Sequence, residues 1–181
     1  DEEFFSERFN ILHGNYDYCV IQEQAHPMPE EADTFAYASK IIELCKMVKT
    51  VPIIFQTWAE KAKPENQLEM NDRYRKLAKN QDVLLAPVGE VWSAAKEELE
   101  SKYDVDLYYV DGAHASAIGD YLVAMVLAKV IIGQLPSNDF VKTFDFSLPN
   151  NDWNSVKENV DEEIMSVPSE VAAAIRKYVS E

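Results

Sequence analysis

Short apolar runs alternate with longer segments of helical periodicity along the first two thirds of the chain. Three runs rich in β-branched and aromatic residues predict buried strands, at 18–21, 51–55 and 83–86. Between and after them, apolar residues recur every three to four positions, which predicts helices over 30–49, 67–79, 89–101 and 116–132. Gly133 is a suitable stop for the last of these helices, and 107–110 is predicted to be a short extended segment.

The order of these elements predicts an α/β fold. Continuous apolar strands that alternate with amphipathic helices indicate a mostly parallel sheet with helices on both faces, in three α/β/α layers. Three strands make a small sheet, and its first strand would expose an apolar edge. We therefore expect one or two further strands to precede Asp1. The alternative is that a strand-completing segment or a partner chain fills this edge.

The chain is predicted to have one α/β domain over residues 1–135 and a C-terminal extension over 136–181 that packs on it. A final helix is predicted over 169–178, with Ser169 as its N-cap. Three aromatic residues of the extension are predicted to pack as an extended strap: Phe140, Phe144 and Phe146.

The net charge of the chain makes some kinds of binding partner unfavourable. The 181 residues carry a formal net charge of -15, so the surface repels phosphate backbones and anionic lipid. Nucleic acid and membrane are therefore not expected partners, and the longest apolar run, 121–132, is too short to span a bilayer. Cys19 and Cys45 lie among apolar neighbours, which favours buried free thiols over a disulfide. Their spacing fits no metal site, and no cofactor is predicted.

The candidate chemistry lies at the ends of the predicted strands. In open parallel sheets, ligands bind beyond the carboxyl ends of the strands. Five polar residues fall at or just after such ends: Gln22, Gln24, Gln56, Thr57 and Asp111. Asp111 is followed three residues later by His114, on the loop into a helix, where a carboxylate can orient an imidazole as a base. The pattern is short, and the alternative is that Asp111 only stabilises a turn.

The sequence around this pair resembles a known family. The segment 111–116, Asp-Gly-Ala-His-Ala-Ser, together with 119–122, resembles the last conserved block of SGNH (GDSL-like) hydrolases. The segment 16–24 resembles the strand and turn that end elsewhere in that family in Gly-x-Asn-Asp, and the segments 56–59 and 86–92 are similar to a bacterial branch of it. The resemblance covers roughly residues 10–135 and implies an SGNH or flavodoxin-like sheet.

The resemblance implies roles for three residues. His114 and Asp111 would complete a Ser-His-Asp triad, and Gln24 would stand in for an oxyanion-hole asparagine. Gln22, Trp58 and His26 are predicted to bind substrate because of their places at or after strand ends. The family's serine, in a Gly-Asp-Ser or Gly-Asn-Ser turn, is absent here and is expected in a preceding segment. Ser116, Cys19 and Cys45 are rejected as replacements.

Two functions follow from these observations. The first is an ester hydrolase that acts on a small-molecule or carbohydrate ester, with acylated carbohydrate implied by the family. The second is a non-catalytic α/β domain that binds a glycan or a protein through the same cleft. Family members of this bacterial branch are commonly exported, which implies an extracytoplasmic or secreted protein.

Overall fold

A computed structural model describes residues 6–24, 28–137, 143–144 and 165–181. The elements, in chain order, are α1 (Glu7–His13), β1 (Tyr18–Gln22), α2 (Glu31–Met47), β2 (Val51–Phe55), α3 (Asn66–Gln81), β3 (Leu84–Ala86), α4 (Val88–Tyr103), α5 (Ala117–Ile132), β4 (Thr143–Phe144), β5 (Met165–Ser166) and α6 (Ser169–Ser180). The predicted α/β fold is confirmed, because β1, β2 and β3 form a parallel sheet in that order.

The central strand β2 separates two apolar cores. Successive side chains of a strand point to opposite faces. Ile54 therefore packs with α2 and α3, in a core that includes Ile42 and Tyr74. Ile53 and Phe55 face the other core, which is built on α4, α5 and α6. Because helices cover both faces, β2 is buried almost along its whole length, and this explains its continuous apolar sequence.

The first strand lies at the edge of this sheet, as expected. Among the described residues, β1 pairs with β2 and with no other strand. Its side chains Tyr18 and Val20 are exposed by 40% and 43% and lie on the same face as Ile53. The apolar edge inferred from the sequence is thus present, and a segment or partner that covers it stays a prediction.

The C-terminal helix α6 contributes to the larger core through Val171 and Ile175, which are both buried. Ser169 is the first residue of this helix and Pro168 holds the N-cap position, so the predicted cap is wrong by one residue. Proline suits this place because its φ is compatible with helix entry and it has no N–H to satisfy. Of the predicted strap, Phe140 and Phe146 lie outside the described residues.

Two short elements lie outside the main sheet. Helix α1 was not predicted, although Ser6 accepts a hydrogen bond from the Phe9 amide as an N-cap. The segment 107–110, predicted to be extended, forms an antiparallel bridge between Tyr108 and Ala115 and does not join the three-stranded sheet. Over the described ranges, no helix is long and apolar enough to cross a membrane.

Candidate active site

The loop between α4 and α5 forms a short hairpin-like turn. The Tyr109 amide donates to the His114 carbonyl and the Ser116 amide donates to the Leu107 carbonyl, both at 2.8 Å. At the tip, the Gly112 amide donates to the Tyr109 carbonyl at 2.9 Å, and Gly112 has a φ of 70°. Glycine takes up this left-handed backbone without steric cost, so its place at the tip has a physical reason.

This turn lies beyond the carboxyl end of β2. The residues that follow β2 hold it at two points: the Lys61 amide donates to the Gly112 carbonyl at 2.8 Å, and the Trp58 indole N–H donates to the Ala113 carbonyl at 2.8 Å. The segment that follows β2 and the turn are therefore joined by hydrogen bonds to two consecutive main-chain carbonyls, those of Gly112 and Ala113. The position agrees with the expectation that the site lies past the strand ends.

Trp58 is in turn held by a second tryptophan. Its ring stacks on Trp92 of α4, with centroids 4.2 Å apart and planes 5° from parallel. Trp92 is 1% exposed, so it belongs to the core. Trp58 remains half-buried, with one ring face against Trp92. Its role in substrate binding stays a prediction.

Asp111 and His114 are joined as their spacing predicts. Asp111 Oδ1 accepts hydrogen bonds from the amides of Ala113 and His114, both at 2.9 Å. Asp111 Oδ2 lies 2.7 Å from His114 Nδ1. The amide of Ala113 above all, and then the His114 ring, lower the pKa of Asp111 to about 2. The carboxyl group is therefore ionised at neutral pH and can only accept a hydrogen bond.

The ionised carboxylate sets the state of the imidazole. Because Asp111 has no proton to give, the proton of the contact must be on His114 Nδ1. In the neutral ring, Nε2 then carries the free lone pair of a general base. The His114 side chain is 84% exposed, against 41% for Asp111, so Nε2 is open to a reacting group. The geometry is that of an oriented base, as in the second half of a catalytic triad.

Two other predicted site residues lie at or just after the end of β1. Gln22 is the last residue of the strand and Gln24 follows two positions later, and both side chains are exposed. His26 lies outside the described residues. The roles of Gln22, Gln24 and His26 in binding or catalysis stay predictions.

Ser116 caps helix α5, which agrees with its rejection as a nucleophile. Its hydroxyl donates to the Asp106 carbonyl at 2.7 Å and accepts from the Gly119 amide at 3.2 Å, which makes it the N-cap of α5. Cys19 and Cys45 are free thiols. Burial, with a smaller effect of the neighbouring Cys19, raises the pKa of Cys45 to about 12, so that thiol is inert at neutral pH. No group of metal-ligating side chains occurs within the described ranges.

Gln56 has a structural role that the sequence did not reveal. Its side chain is fully buried. The side-chain amide Nε2 donates to a Glu90 carboxylate oxygen at 2.8 Å, and the side-chain oxygen Oε1 accepts from the Glu90 backbone amide at 3.1 Å. Arg75, with a smaller effect of Gln56, lowers the pKa of Glu90 against the opposing effect of burial. Gln56 thus ties β2 to the start of α4 and is not available to a ligand. Its position after a strand does not show from sequence alone whether a glutamine binds a ligand or holds two elements of the fold together.

Comparison with known proteins supports the fold. No family model and no curated protein sequence matches the chain. Among solved structures, the chain is similar to a putative SGNH hydrolase from Slackia heliotrinireducens, with 24% sequence identity and a TM-score of 0.53. The match covers 72% of this chain and 77% of that one. At this identity the similarity establishes an SGNH-like three-layer α/β/α fold.

Proposed function

We propose that this chain carries the base and orienting carboxylate of an SGNH-type ester hydrolase that acts on acylated carbohydrates or other small esters. The observation that supports the proposal most strongly is the pairing of Asp111 with His114 at 2.7 Å, on a turn beyond the carboxyl end of the sheet. The similarity of the fold to an SGNH hydrolase agrees with it. A short Asp-x-x-His sequence alone would not separate this role from a simple turn.

The reaction would proceed by acyl transfer in two halves. His114 Nε2 takes the proton from a serine hydroxyl as its oxygen attacks the ester carbonyl carbon. The protonated ring then gives that proton to the leaving alcohol as the ester bond breaks. In the second half, His114 removes a proton from water as the water oxygen attacks the acyl-serine carbonyl carbon. The bond to the serine oxygen then breaks, that oxygen takes the proton back from His114, and the acid is released. Gln24 would donate its side-chain amide to the carbonyl oxygen when negative charge develops there.

In this proposal the serine comes from outside the 181 residues. Ser116, the serine nearest to His114 in sequence, already has its hydroxyl engaged by Asp106 and Gly119. A non-catalytic domain that binds a glycan or protein through the same cleft is the second candidate. The exposure of His114 favours a site open to a ligand in either case.

The test compares the 181-residue chain with the natural gene product, that is, the product of the complete open reading frame with any flanking sequence. We expect the 181-residue chain to leave short acyl aryl esters intact. The natural gene product should hydrolyse these esters and react with a fluorophosphonate probe for active serines. In the natural gene product, His114→Ala should lower turnover by on the order of 10⁴-fold or more. His13→Ala, which replaces an exposed histidine of α1, is the matched control and should have no such effect.

Two outcomes would decide against the hydrolase that we propose. The first is a natural gene product with no serine labelling and no turnover of aryl or carbohydrate esters, and the second is turnover that His114→Ala leaves unchanged. Turnover by the 181-residue chain itself would show instead that the nucleophile lies within these residues. The first outcome together with measurable glycan binding would favour the binding domain.

A further inference from the structure

A cavity of about 330 Å³ lies between β1, α2 and α3, on the sheet face opposite α5. Its walls are mostly apolar and include Ile21, Ala38, Ile41 and Leu77. A volume of this size is at the lower end of the range for small-molecule sites, which combine apolar walls with a few placed polar groups. The cavity does not include Asp111 or His114.

Three polar side chains of the cavity form a cluster. The Thr34 hydroxyl donates to Glu23 Oε1. The other oxygen, Glu23 Oε2, is shielded from solvent and has no hydrogen-bond partner among the described residues. The Tyr74 hydroxyl is likewise shielded, and Tyr74 is 1% exposed. Burial above all, and then the charge of the Glu23 carboxylate and a hydrogen-bonding contact with it, raise the pKa of Tyr74 above its ordinary value, so the hydroxyl lies beside that carboxylate.

The cluster has no positive charge of its own. The nearest buried cation, Arg73, directs its guanidinium to the Pro29 carbonyl and to Glu69. Asp33 adds a second acidic group to the cavity lining, which contains no lysine or arginine. An unpaired carboxylate oxygen in an apolar site is costly, so this arrangement is complementary to a ligand that brings both charge and N–H donors.

We propose that this cavity binds a small organic ammonium ion with an apolar body, and that Glu23 is its counter-ion. A primary ammonium group has three N–H donors. One would bond to Glu23 Oε2, and a second to the oxygen of the Tyr74 hydroxyl, which can accept from the ammonium group while it faces the carboxylate. The apolar body would lie against Ile21, Ile41 and Leu77. The net charge of -15 attracts cations to the protein. The cavity lining includes Gln22, a predicted substrate-binding residue, but neither Asp111 nor His114.

The experiment uses benzylamine, which is protonated at neutral pH, and benzyl alcohol, which has nearly the same shape and no charge. Both are titrated into the intact 181-residue chain by calorimetry and by amide chemical shifts. We expect benzylamine to bind at least about tenfold more tightly than the alcohol, because its bond to the carboxylate is charge-assisted. The shifts should map to α2 and α3 around Thr34 and Tyr74.

Glu23→Gln keeps the size of the side chain and should weaken benzylamine binding by about tenfold or more while leaving the alcohol unaffected. The matched control is Glu43→Gln, an exposed position on α2, which removes the same charge from the same protein. Tyr74→Phe should weaken benzylamine binding to a smaller extent. Far-ultraviolet circular dichroism checks that each variant is folded.

Three results would overturn the proposal. The first is that the unmodified chain binds neither compound, and the second is that it binds both equally, since an apolar cavity alone would do this. The third is that Glu23→Gln and Glu43→Gln weaken binding to the same extent. This would show that benzylamine responds to the net charge of the protein and not to Glu23 in particular. Because the readout is binding, each result is separate from the outcome of the ester assays.

Discussion

Trp58 stacks on Trp92 with their ring centroids 4.2 Å apart, and the same Trp58 ring donates its N–H to the carbonyl of Ala113. Trp92 is fixed in the core, so the stack transmits the rigidity of the core to the residue that precedes His114. The turn that carries the Asp111–His114 pair is exposed, and the Trp58 side chain, which follows β2, holds it against the core.

Replacement of Trp58 by phenylalanine tests this support. Trp58→Phe retains an aromatic ring against Trp92 but removes the hydrogen bond to Ala113. We expect a loss of stability of about 1–2 kcal/mol, from the lost bond and the smaller ring, and faster amide hydrogen exchange at Ala113 and His114. Tyr109→Phe, at an exposed ring of the same turn, serves as the control and should leave exchange unchanged. Equal exchange in both variants would show that the indole does not hold the turn.

The tautomer of His114 can be changed through its partner. In Asp111→Asn, the side-chain oxygen can still accept the amides of Ala113 and His114, so the turn should fold as before. The new NH₂ group would face Nδ1 as a donor, which favours the proton on Nε2 and removes the free base. The ¹⁵N chemical shifts of the imidazole report this exchange directly. In the natural gene product, ester turnover should fall by up to about 10⁴-fold.

The comparison with Asp111→Ala separates orientation from folding. That variant removes the acceptor of both amides and should loosen the whole turn, whereas Asp111→Asn should change the ring alone. If the ¹⁵N shifts of Asp111→Asn match those of the unmodified chain, Asp111 does not set the tautomer.

Acid titration follows from the lowered pKa of Asp111. A group whose folded pKa is depressed contributes stability that is present above its unfolded pKa and is lost as the pH falls through the folded value. For Asp111 these limits are the ordinary 3.8 and about 2. The carboxyl ¹³C shift of Asp111 should therefore titrate near pH 2, and any loss of ester turnover above pH 4 must come from another group.

The cause of that shift can be tested with His114→Ala. The amide of Ala113 has the larger effect and the imidazole the smaller one, so the midpoint of Asp111 should rise in this variant but stay below 3.8. A midpoint that returns fully to 3.8 would show that the imidazole, and not the turn, holds the carboxylate.

Close packing of α5 on α4 predicts an intolerant glycine. A β-carbon on Gly119 would lie 2.7 Å from the Trp92 ring and closer still to the Leu107 carbonyl. Gly119→Ala should therefore cost about 1–3 kcal/mol in urea unfolding, as overpacking does. Gly133 has open space around it and a φ of 78°, so Gly133→Ala should cost only about 1 kcal/mol, from backbone strain alone. The reverse order would contradict the packing at Gly119.

Local periodicity determined the elements of the fold. The apolar runs at Tyr18, Ile53 and Leu84 became the three parallel strands, and Gly133 ends α5 in the left-handed conformation. These features depend on residues close in sequence, so pattern and propensity were enough to predict them. Helix α1 is too short to give a clear period. The segment 107–110 is extended as predicted, but its local sequence does not show that its partners are the backbone groups of residues 114–116.

The Asp111–His114 contact was also accessible from sequence, because three residues on a turn can bring the two side chains together whatever the rest of the chain does. Only the tertiary structure decided which polar residues at the strand ends face solvent. Gln56 is locked to Glu90 across 34 positions, and Trp58 reaches Ala113 across 55. The Glu23–Tyr74 cluster joins β1 to α3 in the same way. Such contacts depend on how the helices pack on the sheet, and no local pattern records the distance between residues so far apart in the chain.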